Sequence, residues 1–577
     1  MTVNLFPRPG FDRRRLLLLG GAFVTAALAL EIRLVQLQIA RHAEADRRVS
    51  AITEETLRTS PPRGAIVDRN GRPLAIGEKR PSIYVDPKMA DADDARFIAA
   101  TLALPPAQVA AAMVRDTHFV WLKRGADEAE WLALRQAGLE ERGVRMIEET
   151  VRLYPQGNLA GAVLGRVGHD NAGLAGVEYA RQPALAGEGR VLIAVRDARG
   201  RLINWRIVQA GREGADLRLT LDAALQYRAE SELAAAIQRT GAKGGLVAVM
   251  APESGELLAM ASWPPYDPLT GGIPHNAVAE MAYEPGSTFK AFTVLAALNE
   301  NKTRPDEVIF CENGGMTVNG QYIKDHKAFG NLTVEKIIAE SSDVGVMKLA
   351  LRVGATRFDE YMRDFGFGAR TGSGLPGESA GIFAPVEKWS GRSLATLAMG
   401  QEIAVSPLQL LSAYSAIANG GRLVVPRLFL DEPAHPARQL RVRPVVLAQM
   451  REMLNDVVSE GTGKQAAIPG VRSGGKTGTA QKALNGHYLD GKYFASFIGF
   501  FPLEKPIAVA LVVIDEPRVG MHHGGVAAAP VFGALARDIY IHALAAAPAD
   551  PAVPASSHIL QAAAILPKSQ HPPGGGT

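Results

Sequence analysis

Ser287 and Lys290 are the two residues whose types and spacing point most directly to covalent chemistry. They lie in the segment Tyr-Glu-Pro-Gly-Ser-Thr-Phe-Lys at residues 283–290, where Pro285 and Gly286 precede a strongly apolar stretch. This order predicts a helix that begins near the serine, with the lysine three residues later on the same face. A neighbouring amine that burial keeps neutral can take the proton of a serine hydroxyl, and a helix N-terminus stabilises nearby negative charge. Ser287 is therefore predicted to be a nucleophile and Lys290 its base, although a Ser-x-x-Lys motif alone is a weak signal.

A second polar segment, Ser-Ser-Asp at residues 341–343, lies between two short apolar stretches that are both predicted to be helices. At such a junction the hydroxyl of Ser341 and the side chain of Asp343 can point into a cleft. Taken by itself, the pattern is more typical of an ordinary helix N-cap.

A third segment, Lys-Thr-Gly-Thr at residues 476–479, is typical of an edge strand that faces a cleft. Lys476 and the hydroxyls of Thr477 and Thr479 can bind a carboxylate. Gly478 carries no side chain and so lets a ligand backbone approach closely. Alone, the same residues could equally form the polar edge of a hairpin.

The elements around these segments predict how they are positioned. The patterns predict strands at residues 217–222, 245–250, 256–261, 494–500 and 507–514, a long helix at 223–240 and a closing helix at 532–544. Helix-rich sequence separates the two groups of strands. The prediction is an α/β sandwich in which an antiparallel sheet, built from both ends of the domain, is flanked by helices.

An apolar segment near the N-terminus predicts a membrane anchor. Residues 16–30 contain no charge and the apolar pattern continues to about residue 38, which reaches the roughly twenty residues that a bilayer requires. The arginines just before it predict that the tail at residues 1–15 stays in the cytoplasm and that the remainder is exported. A cleaved signal peptide is the alternative, but no clear cleavage site is visible.

The composition argues against some classes of structure and function. The chain has 577 residues, with 63 basic and 59 acidic side chains and one cysteine, so no internal disulfide can form and nucleic acid is not an expected partner. No metal or other cofactor is expected. The predicted organisation along the chain is a cytoplasmic tail at 1–15, a transmembrane helix at 16–38, an elongated α+β non-catalytic pedestal at 39–215, a catalytic domain at 216–545 and a disordered tail at 546–577.

In this order along the chain, the three polar segments resemble the motif set of penicillin-binding proteins and serine β-lactamases. The segments at residues 63–71, 152–155 and 173–178 are similar to the N-terminal module of class B penicillin-binding proteins, whose dimerisation-type domain corresponds to the predicted pedestal. The segments at 326–334 and 476–482 look like those of the septal, division-type branch. The chain is thereby identified as a member of this branch with the penicillin-binding transpeptidase fold, and an elongation-type relative remains the alternative within the family.

The resemblance implies serine acyl transfer without a cofactor. Ser287 is expected to attack the carbonyl between the terminal D-alanines of a peptidoglycan stem peptide, after which an amine of a second stem peptide forms the cross-link. Ser341 is expected to relay a proton, the backbone N–H groups of Ser287 and Thr479 to bind the oxyanion, and Lys476, Thr477 and Thr479 to hold the terminal carboxylate. β-Lactams resemble that terminus and are expected to acylate the serine.

The resemblance also implies a location and partners. The protein is expected to be a single-pass protein of the cell inner membrane with a periplasmic catalytic domain. Its expected partners are lipid-linked nascent glycan, a polytopic glycan polymerase of the division complex and other membrane proteins of that complex.

One position departs from the family, because residue 343 is Asp where Asn is usual. An ionised Asp only accepts hydrogen bonds, and a carboxylate near Lys290 favours the charged amine. Asp343 is therefore expected to be protonated, to pair with Lys290 at rest, or to make a different substrate contact. A non-catalytic scaffold of the division complex is the functional alternative that this residue motivates.

Overall fold

The computed structural model of the protein describes residues 13–40, 54–59, 61–168, 170–196, 202–484, 487–518 and 520–546. The disordered tail predicted at 546–577 and the cytoplasmic tail predicted at 1–15 lie almost entirely outside the described residues. The chain divides into two compact units, one formed by Met1–Pro61 and Gly187–Glu213, the other by Pro62–Ala186 and Gly214–Thr577. The predicted domain boundary between residues 215 and 216 stays a prediction.

The described strands, in chain order, are β1 Glu54–Thr59, β2 Ile66–Val67, β3 Pro73–Val85, β4 Val120–Lys123, β5 Val144–Leu153, β6 Arg190–Arg196, β7 Leu202–Gln209, β8 Leu217–Arg218, β9 Gly244–Met250, β10 Leu257–Trp263, β11 Val308–Phe310, β12 Gly315–Val318, β13 Gln321–Lys324, β14 Asn331–Thr333, β15 Arg422–Leu423, β16 Arg438–Gln439, β17 Gly474–Leu484, β18 His487–Phe501 and β19 Ala508–Asp515. The described α-helices are α1 Arg13–Val35, α2 Ala95–Thr101, α3 Pro106–Met113, α4 Glu128–Gln136, α5 Gly161–Leu164, α6 Gly176–Ala180, α7 Gln182–Leu185, α8 Ala223–Thr240, α9 Ala277–Glu280, α10 Lys290–Asn299, α11 Val334–Ala339, α12 Asp343–Val353, α13 Ala355–Asp364, α14 Ser393–Leu397, α15 Pro407–Ala418, α16 Pro444–Ser459, α17 Gly524–Ala527 and α18 Ala529–Ala546.

The first unit contains the predicted anchor and a small sheet. Helix α1 continues into a π-helical turn, and the span Arg14–Ile39 is long and apolar enough to cross a membrane, with a mean hydropathy of 1.8 over its most apolar window. Strands β1, β6 and β7 form an antiparallel sheet in which β6 is central.

The first part of the second unit, residues 62–186, is built around the long strand β3, which pairs with β2, β4 and β5. A buried ionic cluster connects three segments of this part that are far apart in the sequence. Glu178 accepts from Arg63 Nε and from Arg152 Nε at 2.6 Å each, with all three side chains excluded from solvent. The three residues belong to the three segments that resemble the family's N-terminal module, so this cluster gives a physical reason for those motifs.

The catalytic part of the second unit has the predicted antiparallel sheet. Its strand order is β10-β9-β19-β18-β17, so the two strands near residue 250 join three strands from beyond residue 470 through the pairing of β9 with β19. Side chains alternate along each strand. On β9, Val247 and Val249 pack against α8 and α18, while Leu246 and Ala248 pack toward the cluster that includes α10 and α15. The prediction of a sheet assembled from both ends and flanked by helices is confirmed.

Capping residues and strand pairing set the bounds of two predicted elements. The helix predicted at 223–240 is confirmed as α8, because Asp222 caps its N-terminus by accepting from Ala224 and Leu225, and Gly241 ends it in a left-handed conformation. The strand predicted at 217–222 is shorter, since only Leu217–Arg218 pairs with β2 and Leu219 forms an isolated bridge to Phe429.

Candidate active site

Ser287 lies on a 3₁₀ turn, Gly286–Phe289, that leads directly into α10. Gly286 has a φ of +52°, and its N–H donates to the carbonyl oxygen of Gly400 at 3.1 Å. Residues 290–298 of the following helix are all buried, as expected for a helix that is apolar on every side. The turn therefore fixes Ser287, half-buried, at the start of a rigid core helix, as the sequence predicted.

Ser341 lies at the junction of α11 and α12, where the sequence placed it. Its φ of +63° is a left-handed conformation that is uncommon for a residue with a side chain. The next residue, Ser342, is the N-cap of α12 and its hydroxyl accepts from the Gly345 N–H at 3.0 Å. The N-cap role expected for this segment thus belongs to Ser342, and Ser341 is left to make contacts of another kind.

Asp325, which directly follows the hairpin formed by β12 and β13, contacts this junction. Its carboxylate is almost fully buried and accepts from the Ser342 hydroxyl at 2.9 Å, from the Val344 N–H at 3.1 Å and, in a short hydrogen bond, from the Asp343 N–H. Sequence reasoning missed Asp325, because a single aspartate in a polar loop gives no signal of the helix that it contacts.

The third segment lies on β17, the edge strand of the catalytic sheet, as predicted. Lys476 is fully buried, and its Nζ lies 3.0 Å from Ser341 Oγ and donates to the Thr477 carbonyl oxygen at 3.3 Å. The hydroxyl of Thr477 lies 2.7 Å from that of Thr462, a neighbour that the sequence did not indicate. Thr479 is half-buried, and its hydroxyl accepts from the Gly524 N–H at 3.3 Å.

The structure gives a reason for glycine at residue 478 that differs from the predicted one. An added Cβ would come within 2.3 Å of Ser496 Oγ, 2.9 Å of Thr288 Cγ2 and 3.0 Å of the Pro285 carbonyl oxygen. The crowding comes from the protein itself, because β17 packs directly against the turn that carries Ser287. The role of Gly478 as a substrate contact stays a prediction.

Lys290, Ser341, Asp343 and Lys476 meet in one polar centre. Lys290 Nζ donates to the Ser341 carbonyl oxygen at 2.6 Å and to Ser341 Oγ at 3.1 Å, and it lies 2.8 Å from Asp343 Oδ1. Of the three alternatives for Asp343, the structure therefore has the ion pair with Lys290. The lysine is excluded from solvent, whereas the Asp343 side chain is 27% exposed and so can reach a ligand in the cleft.

Burial and neighbouring charge lower the pKa of two ionisable groups at this centre. Burial, reinforced by the charge of Lys290, lowers the pKa of Lys476 well below its ordinary value of 10.5, while the Asp343 carboxylate opposes that change. The same two causes lower the pKa of His326, which follows Asp325 in the chain. The centre therefore favours a neutral amine at Lys476.

Comparisons with known proteins identify two domains in the chain. The profile of the penicillin-binding protein transpeptidase domain matches residues 245–537, and that of the penicillin-binding protein dimerisation domain matches residues 58–219. The chain is 32% identical to the peptidoglycan D,D-transpeptidase FtsI of Escherichia coli K12 over 490 residues, which cover 82% of each chain. It is also 32% identical to the stage V sporulation protein D of Bacillus subtilis, over 91% of this chain and 85% of the relative.

The chain belongs to the class B penicillin-binding proteins of division type. A solved structure of this family, penicillin-binding protein 3 of Mycobacterium tuberculosis in its apo form, superposes with a TM-score of 0.66 at 27% identity, over 86% of this chain and 99% of that one. The division-type branch, rather than the elongation-type alternative, is therefore the one to which this penicillin-binding protein belongs.

Proposed function

We propose that the protein is a peptidoglycan D,D-transpeptidase that cross-links stem peptides during cell division through an acyl-enzyme on Ser287. The observation that carries this proposal is the polar centre beside the serine turn, where the amines of Lys290 and Lys476 both lie within 3.1 Å of Ser341 Oγ. The FtsI relative has this activity in its name and matches the chain along most of its length.

The nucleophile and its partners have distinct tasks in this reaction. Ser287 forms the ester with the carbonyl carbon of the penultimate D-alanine, and D-alanine leaves. Ser341 carries the proton between the serine and one of the two lysines that flank it. The backbone N–H groups of Ser287 and Thr479 bind the oxyanion. Support for the last task comes from Gly286, where an added Cβ would lie 3.1 Å from the Thr479 carbonyl oxygen, so the serine turn and this strand residue are adjacent.

Substrate binding falls to the edge strand β17. Lys476, Thr477 and Thr479 hold the terminal carboxylate of the stem peptide, and Gly478 lets the strand approach both the serine turn and the ligand. Asp343, which is 27% exposed beside Lys290, is a further polar contact for the substrate. β-Lactams bind at the same place, since these compounds imitate the peptide terminus. The penicillin-binding family profile supports the binding of such compounds by this domain.

The apolar helix α1 anchors the protein once in the inner membrane, with the N-terminus in the cytoplasm and the catalytic domain in the periplasm. The support for this orientation is the arginine cluster before the helix. Its partners are lipid-linked nascent glycan, the polytopic glycan polymerase of the division complex and other membrane proteins of that complex, reached through the anchor and the pedestal.

Labelling with a membrane-impermeant fluorescent penicillin tests both the nucleophile and the orientation. We expect stoichiometric labelling in spheroplasts, with the acyl group on the peptide that contains Ser287 by mass mapping and no label in Ser287→Ala. A label on a peptide that lacks Ser287 would contradict the proposed nucleophile. Growth of cells that depend on Ser287→Ala would instead support the non-catalytic scaffold, and label that appears only after lysis would contradict the orientation.

A further inference from the structure

The two buried lysines of the polar centre have different surroundings. Lys290 Nζ has three acceptors: the Ser341 carbonyl oxygen at 2.6 Å, Asp343 Oδ1 at 2.8 Å and Ser341 Oγ at 3.1 Å. An ammonium group carries three N–H donors, and these contacts give one acceptor to each of them. The surroundings of Lys290 therefore suit a cation with its counter-ion.

Lys476 has no such counter-ion. Its Nζ contacts Ser341 Oγ at 3.0 Å and the Thr477 carbonyl and hydroxyl oxygens at 3.3 and 3.4 Å. Across the ranges that the structure describes, no carboxylate oxygen lies within 4.0 Å of this amine. Burial and the neighbouring charge of Lys290 both lower the pKa of Lys476, which favours its neutral form, although the Asp343 carboxylate acts in the opposite direction.

Ser341 gives the hydrogen-bond chain a direction. A hydroxyl has one proton to donate and two lone pairs that accept. With Lys290 as a cation, Ser341 Oγ accepts from Lys290 and donates its own proton to the lone pair of Lys476. We propose that Asp343 is a positioning residue that fixes Lys290 as the cation of the site and leaves Lys476 to receive the serine proton through Ser341. This inference rests on the proposed function of Ser287.

The proton transfers balance in both halves of acylation. Ser287 gives its proton to Ser341 Oγ while the proton of Ser341 moves to the Lys476 lone pair. The serine oxygen bonds to the substrate carbonyl carbon, and the carbonyl π electrons move to its oxygen. When this adduct collapses, the C–N bond breaks and the leaving nitrogen takes the proton from Lys476 through Ser341. Lys290 stays a cation throughout.

Within the part of the chain that the structure describes, four charged or titratable groups act on Asp343 or are acted on by it. Lys290 contacts its carboxylate, and Asp325 accepts a hydrogen bond from its backbone N–H. The negative charge of Asp343 acts to raise the pKa of Lys476 and of His326. The family's usual Asn has no negative charge. The anion at residue 343 is therefore the feature that distinguishes the two lysines in this chain.

A double-mutant cycle of Asp343→Asn with Lys476→Met tests the assignment, by the second-order rate of penicillin acylation of the full-length protein in detergent. Lys476→Met removes the proton acceptor, and we expect acylation to fall by about 10²-fold or more. Asp343→Asn then frees Lys290 from its counter-ion, so in this background we expect acylation to rise by about tenfold. The contribution of Lys476 to carboxylate binding is absent on both sides of this comparison and cancels.

If Lys290 is already the base, Asp343→Asn changes acylation by the same factor whether Lys476 is present or replaced, and this result would overturn the inference. The same cycle with Lys476→Gln provides a second set of variants, and thermal unfolding checks that each variant is folded. Ser287→Ala separates the two proposals, because a label that survives in it contradicts the proposed nucleophile without bearing on which lysine takes the proton.

Discussion

A buried lysine that lacks a carboxylate partner is costly for folding, and Lys476 is such a residue. Its stem and amine are completely enclosed, and the like charge of Lys290 acts on it more strongly than the opposite charge of Asp343. Groups of this kind persist where function requires them, because a hydrophobic side chain of similar size would avoid the cost of desolvation. At this position the protein therefore gives up some folding stability for the proposed reaction.

Replacing Lys476 by Met is expected to raise the thermal stability of the protein while it abolishes fast acylation. In the unfolded chain the lysine binds its proton up to its ordinary pKa of 10.5, whereas in the folded chain its pKa is lowered. Between these two pKa values the unfolded state binds more protons, so wild-type stability increases with pH in that window. We expect a gain of about 1–4 kcal/mol that is largest below the lowered pKa of the folded state and shrinks as the pH rises from there toward 10.5.

Calorimetry of wild type and Lys476→Met across this range of pH measures the effect. Lys505→Met, at a position outside the polar centre, is the matched control and should show no comparable dependence. Equal destabilisation of Lys476→Met at every pH would contradict the idea that the wild-type amine is buried in its neutral form.

At the scale of elements, the active site depends on contacts between pieces that are far apart in the sequence. The hairpin of β12 and β13 supplies Asp325, which fixes the N-terminus of α12 and with it the left-handed Ser341. On the other side, β17 packs so closely on the serine turn that residue 478 has no room for a side chain. The distances within the polar centre are therefore set by element packing rather than by local preferences.

Asp325→Ala is expected to slow acylation about 10²-fold, because a displacement of about 1 Å in a reacting group has an effect of that size. The variant leaves the buried Ser342 hydroxyl and two backbone N–H groups without their acceptor, which lowers the free energy of unfolding by about 1–3 kcal/mol for each. Stopped-flow penicillin acylation at saturating ligand separates the loss in rate from any loss in affinity.

Asp306→Ala is the control for this prediction, since Asp306 is exposed and pairs with Arg304 at the surface. Asp325→Asn keeps one acceptor oxygen and should recover part of the rate. A wild-type acylation rate in a folded Asp325→Ala would show that the hairpin does not position Ser341 and Asp343.

At the scale of the whole molecule, residues outside the catalytic sheet depend on their own buried network. Glu178 joins Arg63 and Arg152, and the two guanidinium groups also donate to the carbonyl oxygens of Glu178 and Gly64. Such a cluster replaces an apolar core at this point and is sensitive to the loss of one partner, because the others then remain buried with uncompensated charge.

Glu178→Gln is expected to lower the free energy of unfolding by about 3–5 kcal/mol, the range for removing one partner of a buried ion pair. Thermal or urea unfolding followed by circular dichroism measures the change. Glu148→Gln is the matched control: Glu148 pairs with Lys79 on the surface, where solvent screens the two charges, and we expect a much smaller change. If both variants unfold alike, the buried cluster does not stabilise the protein.

The sequence by itself determined the family of the protein and the order of its motifs along the chain. Ser287, Lys290, Ser341 and Lys476 were identifiable from residue type and motif spacing, and local patterns sufficed for α8, for the apolar anchor and for the two groups of strands that form the catalytic sheet. These features depend on near neighbours in the chain, so short-range periodicity, capping and hydrophobicity reveal them.

Only the tertiary structure decided which of the possible contacts are made. Ser341 is 51 residues from Lys290 and 135 from Lys476 in the sequence, yet its hydroxyl touches both amines. The pairing of Asp343 with Lys290, the support from Asp325 and the crowding at Gly478 depend in the same way on distances of a few ångströms between separate elements. Packing of the whole domain fixes such distances, and with them burial and charge, so no local pattern could reveal which of the two lysines has the counter-ion.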